Sequence, residues 1–417
     1  MNPTVMHALG AGLFAVALLH TFMAKSFEVL AHRHPRHAGL LHLLGEVEVV
    51  FGFWAFVLVV VMAFVAGPTA AIDYAESRQY GEPLFVFVVM VVAASQPVLL
   101  AVAWAIDGLA RLSPLPTPLA TAWLGLAAVP LMGSLITEPA AMTLAALMLA
   151  ARIFRDGIPE WLKYAALGVL FVNVSIGGTL TAYAAPPVLM VAKTWHWDTA
   201  FMASTFGWRA CLAVLLNASV VTLLLRPHLG KGEAEATAPL RPLPWIVSAI
   251  HLLFLAGVVA LAHHPVLFMG LFLFFLGYTQ AYERHQSPLI LKEGLLVGFF
   301  LAGLVLLGGM QQWWLQPIVA ALQPTALFFG ALALTALTDN AALTYLGSLI
   351  AGITDQSKYM LVAGAVAGGG LTVIANAPNP AGVALLRSGF SHGSIGSGGL
   401  LLGALPPTVI AAVLFLL

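Results

Sequence analysis

The sequence predicts an all-α polytopic membrane protein, and three observations point there. Of its 417 residues, 61% are hydrophobic and only 8% charged, where a soluble domain carries about 25% charged residues. Apolar runs of about 20 residues, long enough to cross the hydrocarbon of a bilayer, recur along almost the whole chain and leave no room for a separate soluble domain. Two short polar motifs also appear in the same order in each half.

About ten full spans are expected, near residues 5–24, 45–66, 84–106, 161–192, 199–225, 241–263, 265–282, 289–308, 358–386 and 400–417. Two further apolar segments, 117–153 and 317–352, are too long for one span and carry polar breaks at "SLITEPAA" and "ALTDNAA". Each is a re-entrant hairpin or a pair of crossings, and either returns the chain to the side it left. The first apolar run has no positive charge ahead of it and Lys25, Arg33 and Arg36 behind it, as in a retained span that starts outside. With that start, 13 of the 17 Lys and Arg residues fall on the inside, including Arg111, Arg152, Arg155, Lys163, Arg226, Lys231, Arg241 and Arg387. Arg78, Lys193 and Lys358 fall outside, and Arg209 lies within a span. The positive-inside rule supports this threading, with both termini outside.

The formal net charge of zero gives no basic face for nucleic acid, so the expected partner is the lipid bilayer. Cys211, the lone cysteine, excludes an intrachain disulfide and a cysteine metal cluster.

The repeats set the domain plan. "TEPAAMTL" from Thr137 matches "TDNAALTY" from Thr338, and "GGTLTAYAAPP" from Gly177 matches "GGGLTVIANAP" from Gly368. Five crossings separate the two sets, so the second half is expected upside down relative to the first, the inverted-repeat plan of secondary transporters. Residues 1–225 form the first repeat, 226–240 a polar, cytoplasmic linker, and 241–417 the second repeat.

Each half then supplies a polar break and a glycine-rich break. Irregular backbone at membrane depth survives only where it is buried in protein or lines a cavity. Gly177, Gly178, Gly369 and Gly370 let the chain unwind and present carbonyl oxygens, with Thr179 beside them, while Asn376 and Asn379 in "NAPNP" add amide oxygens. Such ligands suit a hard cation stripped of water. Glu138 and Asp339 are the candidate cation and proton ligands, since a carboxylate at the positive end of a half-helix is less costly to bury. Thr137, Thr338 and Asn340 complete a set of neutral oxygens. A group that holds a metal cation or a proton, but not both, is the minimum apparatus of exchange. The same residues also suit plain helix starts: Thr is a good N-cap, Pro139 fits a first turn, and acids are favoured there.

Other intramembrane polar residues are secondary candidates. Glu46 and Glu48, in "GEVEVVFGFW", sit at the cytoplasmic end of the second span as candidates for a proton path or as interfacial residues. His20 and His251, near the cytoplasmic ends of corresponding spans, read as interfacial packing residues. Arg209, in "FGWRACLAV", is deep enough to require an acid or carbonyl partner.

Together, "SLITEPAAMTL", "VSIGGTLTAYAAPP", "ALTDNAALTYLGSL" and "GGGLTVIANAPNPAG" resemble the ion transporter superfamily of sodium/proton antiporters, arsenite permeases and divalent anion/sodium symporters. Within it they most resemble a bacterial family of sodium/proton antiporters. The resemblance implies a homodimer in the bacterial inner membrane, an elevator-like movement of the hairpin domain, Na⁺ and H⁺ as transported ions with no cofactor, and Glu138 and Asp339 on the Na⁺. The anion symporters carry Ser-Asn-Thr where this chain has Thr137-Glu138-Pro139 and Thr338-Asp339-Asn340.

Two other functions compete. A cation-coupled carrier of a small anion would exploit half-helix N-termini, which are natural anion sites. Against it, an acid at each tip repels an anion about 4 Å away by roughly 4 kcal/mol at an effective dielectric of 20. An enzyme is the third class, and no Ser-His-Asp order, HEXXH motif, phosphate-binding loop or cofactor motif supports one.

Overall fold

The computed structural model describes residues 3–229 and 243–417. The middle of the linker, with Lys231 and also Arg241, lies outside the described residues, as do a few side chains including those of Lys25 and Glu48. Among the described residues every regular element is a helix. Five helices are long and apolar enough to cross a bilayer, or up to seven if each of two bent pairs is one crossing. Shorter apolar helices such as Trp245–Ala260 and Pro265–Ala281 accompany them. The protein is thus a helical membrane protein.

Two expected elements are more broken than the hydropathy suggests. The run at 84–106 is a bent pair, Gly81–Ala93 and Gln96–Leu112, meeting at 63°. Ser95 is extended (ψ 142°) and Pro97 sits in the first turn beyond it, where its missing N–H is tolerated. The segment 117–153 is three helices. Thr117–Leu126 bends by 42° into Ala128–Ile136, and Glu138–Ala150 follows a break at Thr137. A Cβ on Gly133 would sit 3.2 Å from the Cβ of Ala141. Eight residues of straight helix would separate those positions by about 12 Å, so the chain doubles back at Thr137. The second segment holds Pro324–Thr335 and Asn340–Ser348 around a break at 336–339.

The chain forms two compact units, each drawn from distant parts of the sequence. One comprises Met1–Phe87, Leu291–Gln323 and Tyr345–Thr354. In it Val47–Ala66 packs on Leu291–Gly308 with backbone close to backbone where Gly303 meets Phe51 and Gly52. The Tyr74 and Tyr345 hydroxyls donate to carbonyls of that second helix, at Leu306 (2.6 Å) and Val305 (3.1 Å).

The other unit comprises Val88–Ile290, Pro324–Thr344 and Asp355–Leu417. Its axis is Glu160–Gly177, largely apolar and buried along almost its whole length, as a helix surrounded by other helices is. Ser397–Leu416, Trp208–Leu225 and the helices of the 117–150 segment surround it. This helix ends at Gly177–Leu180 and the chain resumes in Pro186–Trp195, while Asp355–Gly368 likewise stops and resumes in Asn379–Leu386. Both glycine-rich breaks therefore occur where the sequence places them.

Candidate functional site

Glu138, Thr137, Asp339, Asn340, Asn376, Asn379 and both glycine-rich breaks all belong to the second unit. Glu138 opens the Glu138–Ala150 helix and is fully buried, at 0% exposure. Its Oε2 accepts a hydrogen bond from Asn376 Nδ2 at 2.8 Å, a contact between residues 238 positions apart. Its Oε1 is buried without a partner. Gly178 lies directly against the carboxyl group: a Cβ there would fall 2.5 Å from Oε1 and 2.7 Å from Cγ. A side chain at 178 would displace the acid, so here the glycine is required by space.

Thr137 holds this arrangement at a cost. Its φ of 78° with ψ of 152° is one of two positive-φ non-glycine conformations among the described residues. For a β-branched residue that region is a genuine outlier, costing on the order of 1–3 kcal/mol. Its side chain makes no capping bond, and its Oγ1 is buried and unpartnered. The N-cap reading of Thr137 therefore fails here, and the strain has a local consequence: it turns the chain so that Glu138 faces inward.

The second motif is arranged differently. Asp339 Oδ1 accepts from the backbone N–H groups of Ala341 (2.8 Å) and Ala342 (3.1 Å), capping Asn340–Ser348. Asp339 is half-buried and within electrostatic reach of Glu138. Thr338 turns its hydroxyl back to Leu334 O at 3.0 Å. Asn340 is buried, donates weakly to Ser175 Oγ at 3.4 Å, and leaves its Oδ1 unpartnered. Gly369 packs against the same Ser175 and Asn340 side chains.

The glycine-rich breaks contribute less carbonyl oxygen than their composition suggests, because neighbouring side chains already engage it. Thr179 Oγ1 donates to Ile176 O at 2.6 Å and Ser134 Oγ to Gly177 O at 2.6 Å. Asn379 Nδ2 donates to Gly369 O (2.8 Å) and Thr372 O (2.9 Å), and Gly370 packs against the Val172 backbone. What remains is a set of buried side-chain oxygens without donors: Thr137 Oγ1, Glu138 Oε1, Asn340 Oδ1, Asn376 Oδ1 and Asn379 Oδ1. Buried polar atoms are nearly always hydrogen-bonded, so these five oxygens are open to a donor or a cation.

The two breaks dock on their neighbours alike. Asn173 Nδ2 donates to Leu126 O at 2.8 Å, a Cβ on Gly177 would sit 2.6 Å from Pro130 O, and Thr181 Oγ1 donates to Ser134 O at 2.7 Å. In the other half Gly364 packs on Phe328 O, a Cβ on Gly368 would sit 2.5 Å from Leu332 O, and Thr372 Oγ1 donates to Ala336 O at 2.9 Å. The rungs advance by four residues on both sides of both ladders. Between them Ser175 Oγ donates to Val366 O at 2.8 Å, joining residues at matching positions. Ser134, Asn173 and Ser175 were not singled out by sequence, because lone small polar residues in an apolar run carry no pattern.

The remaining candidates lie elsewhere. Glu46 belongs to the first unit and pairs with Lys292 at 3.0 Å at the start of Val47–Ala66. The Glu48 side chain lies outside the described residues. Arg209 follows a π-helical turn at Ala203–Gly207, donates to Thr205 O, and stacks over Trp208 (4.4 Å) and Tyr359 (5.5 Å), so its partners are a carbonyl and two rings. His251 bonds Val247 O (2.8 Å) and Gln286 Oε1 (3.2 Å), and His20 sits between Leu44 O and Trp54. Among the described residues no three His, Cys, Asp or Glu side chains form a metal-holding cluster.

Broken helices around a buried acid are an architecture that secondary transporters use for their ion sites. Residues 5–417 match the family described as "Putative Na+/H+ antiporter", and the chain belongs to that family. It is also similar to the crystal structure of the Alcanivorax borkumensis YdaH transporter, at 14% identity and a TM-score of 0.48, covering 88% of this chain and 95% of that one. No curated protein matches the sequence.

Proposed function

We propose that the protein exchanges Na⁺, or a similar monovalent cation, for H⁺ at the site around Glu138. The observation that carries this reading is the half-satisfied carboxyl group: one oxygen bonded to Asn376 and the other buried with no partner. Such a group has two ways to complete itself, by carrying a proton or by sharing the oxygen with a cation. Thr137, Asn340, Asn376 and Asn379 supply the neutral oxygens a dehydrated Na⁺ needs, and Asp339 supplies a second negative charge from its helix cap. Because both ions claim one oxygen, loading of one releases the other.

The matched ladders and the Ser175–Val366 contact support a duplicated, inverted architecture with an axis near residue 175, dividing the chain at 1–225 and 241–417. Such an axis places the two breaks at one depth, near the midplane. An elevator-like movement that presents the site to each side in turn, a homodimer, ten crossings with two hairpins and both termini outside complete the proposal.

The test is a pH-gradient assay in everted vesicles. Adding Na⁺ should dissipate an acid-inside gradient, and the apparent Na⁺ affinity should fall as pH falls, since protons occupy the same oxygen. A Na⁺ affinity independent of pH would remove competition from the mechanism. Sodium-dependent uptake of a labelled carboxylate without a pH response would establish anion transport instead.

A further inference from the structure

A groove of about 580 Å³ runs between Glu160–Gly177, Trp208–Leu225 and Ser397–Leu416, on the opposite side of the axial helix's length from its glycine break. Its origin is local. Gly403 meets the Tyr164 backbone, bringing two helices into direct contact, while Pro406 and Pro407, inside the helix, remove two backbone hydrogen bonds. The walls are apolar, and Trp161, Val220, Leu224 and Leu402 along the rims are exposed, as residues facing lipid are.

We infer that this groove binds one acyl chain of a phospholipid whose headgroup rests at the Glu160–Arg226 end. Two observations select that occupant. The first is size: a dry apolar cavity of about 150 Å³ holds one benzene, and the groove, at about 580 Å³, has roughly four times that room, enough for a single acyl chain. The second is polarity along its length. Charge occurs at one end only, where Glu160 lines the mouth and the exposed Arg226 lies two residues beyond Leu224. A phosphate meets Arg226 there, on the side that the distribution of Lys and Arg assigns to the cytoplasm.

The groove also reaches the machinery of the site. Asn217 lines it and donates to Asn173 Oδ1 at 2.9 Å, and Asn173 in turn donates to Leu126 O, the first rung of the ladder that docks the Gly177 break. A chain in the groove therefore packs against the helix that carries one glycine-rich break.

The experiment is native mass spectrometry of the full-length protein purified in mild detergent from phospholipid membranes, comparing wild type with Val220→Trp, Ala165→Phe and Arg226→Ala. The first two variants fill the groove from opposite walls, and the third removes the phosphate contact without filling it. Wild type should retain one phospholipid per protomer, and all three variants should lower that occupancy about tenfold or more at an unchanged unfolding temperature. Absence of retained lipid from wild type would overturn the inference. So would equal retention in all four proteins, or a wild-type dimer that Val220→Trp splits, which would make a second copy the occupant.

Discussion

The two repeated motifs share a sequence pattern and diverge in structure. At the first, Thr137 is strained, its hydroxyl caps nothing, and Glu138 is turned inward with one oxygen unpartnered. At the second, Thr338 and Asp339 satisfy backbone groups of their own segment, and the inward-facing residue is Asn340. The tips differ at two positions, in the acid itself, Glu138 against Asp339, and in the residue that follows it. Pro139 follows the first acid and Asn340 follows the second, so the second motif offers an amide where the first offers a ring without a donor. Similar motifs need not fold alike: one tip turns a carboxyl group inward, the other an amide, with the Asp339 carboxyl on its helix cap.

Substitutions can break or sharpen that contrast. The largest effect belongs to Glu138→Gln, which keeps the hydrogen bond to Asn376 but cannot exchange a proton for a cation. Exchange should fall to background while the purified protein elutes and unfolds as wild type does. Wild-type exchange rates in this variant would take Glu138 out of the mechanism.

Next comes Asn376→Ala. A hydrogen bond to a charged group contributes about 1.5–3 kcal/mol, so the apparent Na⁺ affinity should weaken about 10- to 100-fold, measured by titrating Na⁺ against the pH gradient. Thr137→Gly should act on stability in the opposite sense. Relief of the positive φ should raise unfolding free energy by about 1–3 kcal/mol, read as a higher unfolding temperature, while exchange slows because Glu138 is no longer held in place.

The smallest effect separates the caps. Asn caps a helix about as well as Asp does, and Ala costs about 1 kcal/mol there. Asp339→Ala should therefore lower the unfolding temperature where Asp339→Asn does not, and both should lose less Na⁺ affinity than Asn376→Ala. If Asp339→Asn instead matches Glu138→Gln, the two motifs are equals and the contrast between them disappears.

Much of this was legible in the sequence. Hydropathy alone located most helices, and the repeated motifs located the four breaks, because unsatisfied backbone in lipid is so costly that Gly, Pro and polar residues cluster where it is tolerated. The 63° bend at Ser95 was missed, since "AASQPV" interrupts an apolar run too briefly to register in its average. The roles within the site were only half legible. Thr, acid and Ala at the same offsets say nothing of which oxygen turns inward, a choice made by Thr137 φ and by whether position 139 or 340 carries a donor. Carbonyls expected as ligands were instead engaged by Ser134, Thr179 and Asn379, contacts set by tertiary approach.

The bond between Glu138 and Asn376 has a consequence for how the protein is made. A ribosome working at about 5–20 residues per second delivers Asn376 roughly 12–48 s after Glu138, given the 238 positions between them. For that interval a nascent chain carries an acid destined for the bilayer interior before its amide exists. Until the amide arrives, the carboxyl group is cheapest to bury as its neutral, protonated form, the same form that the proposed exchange uses.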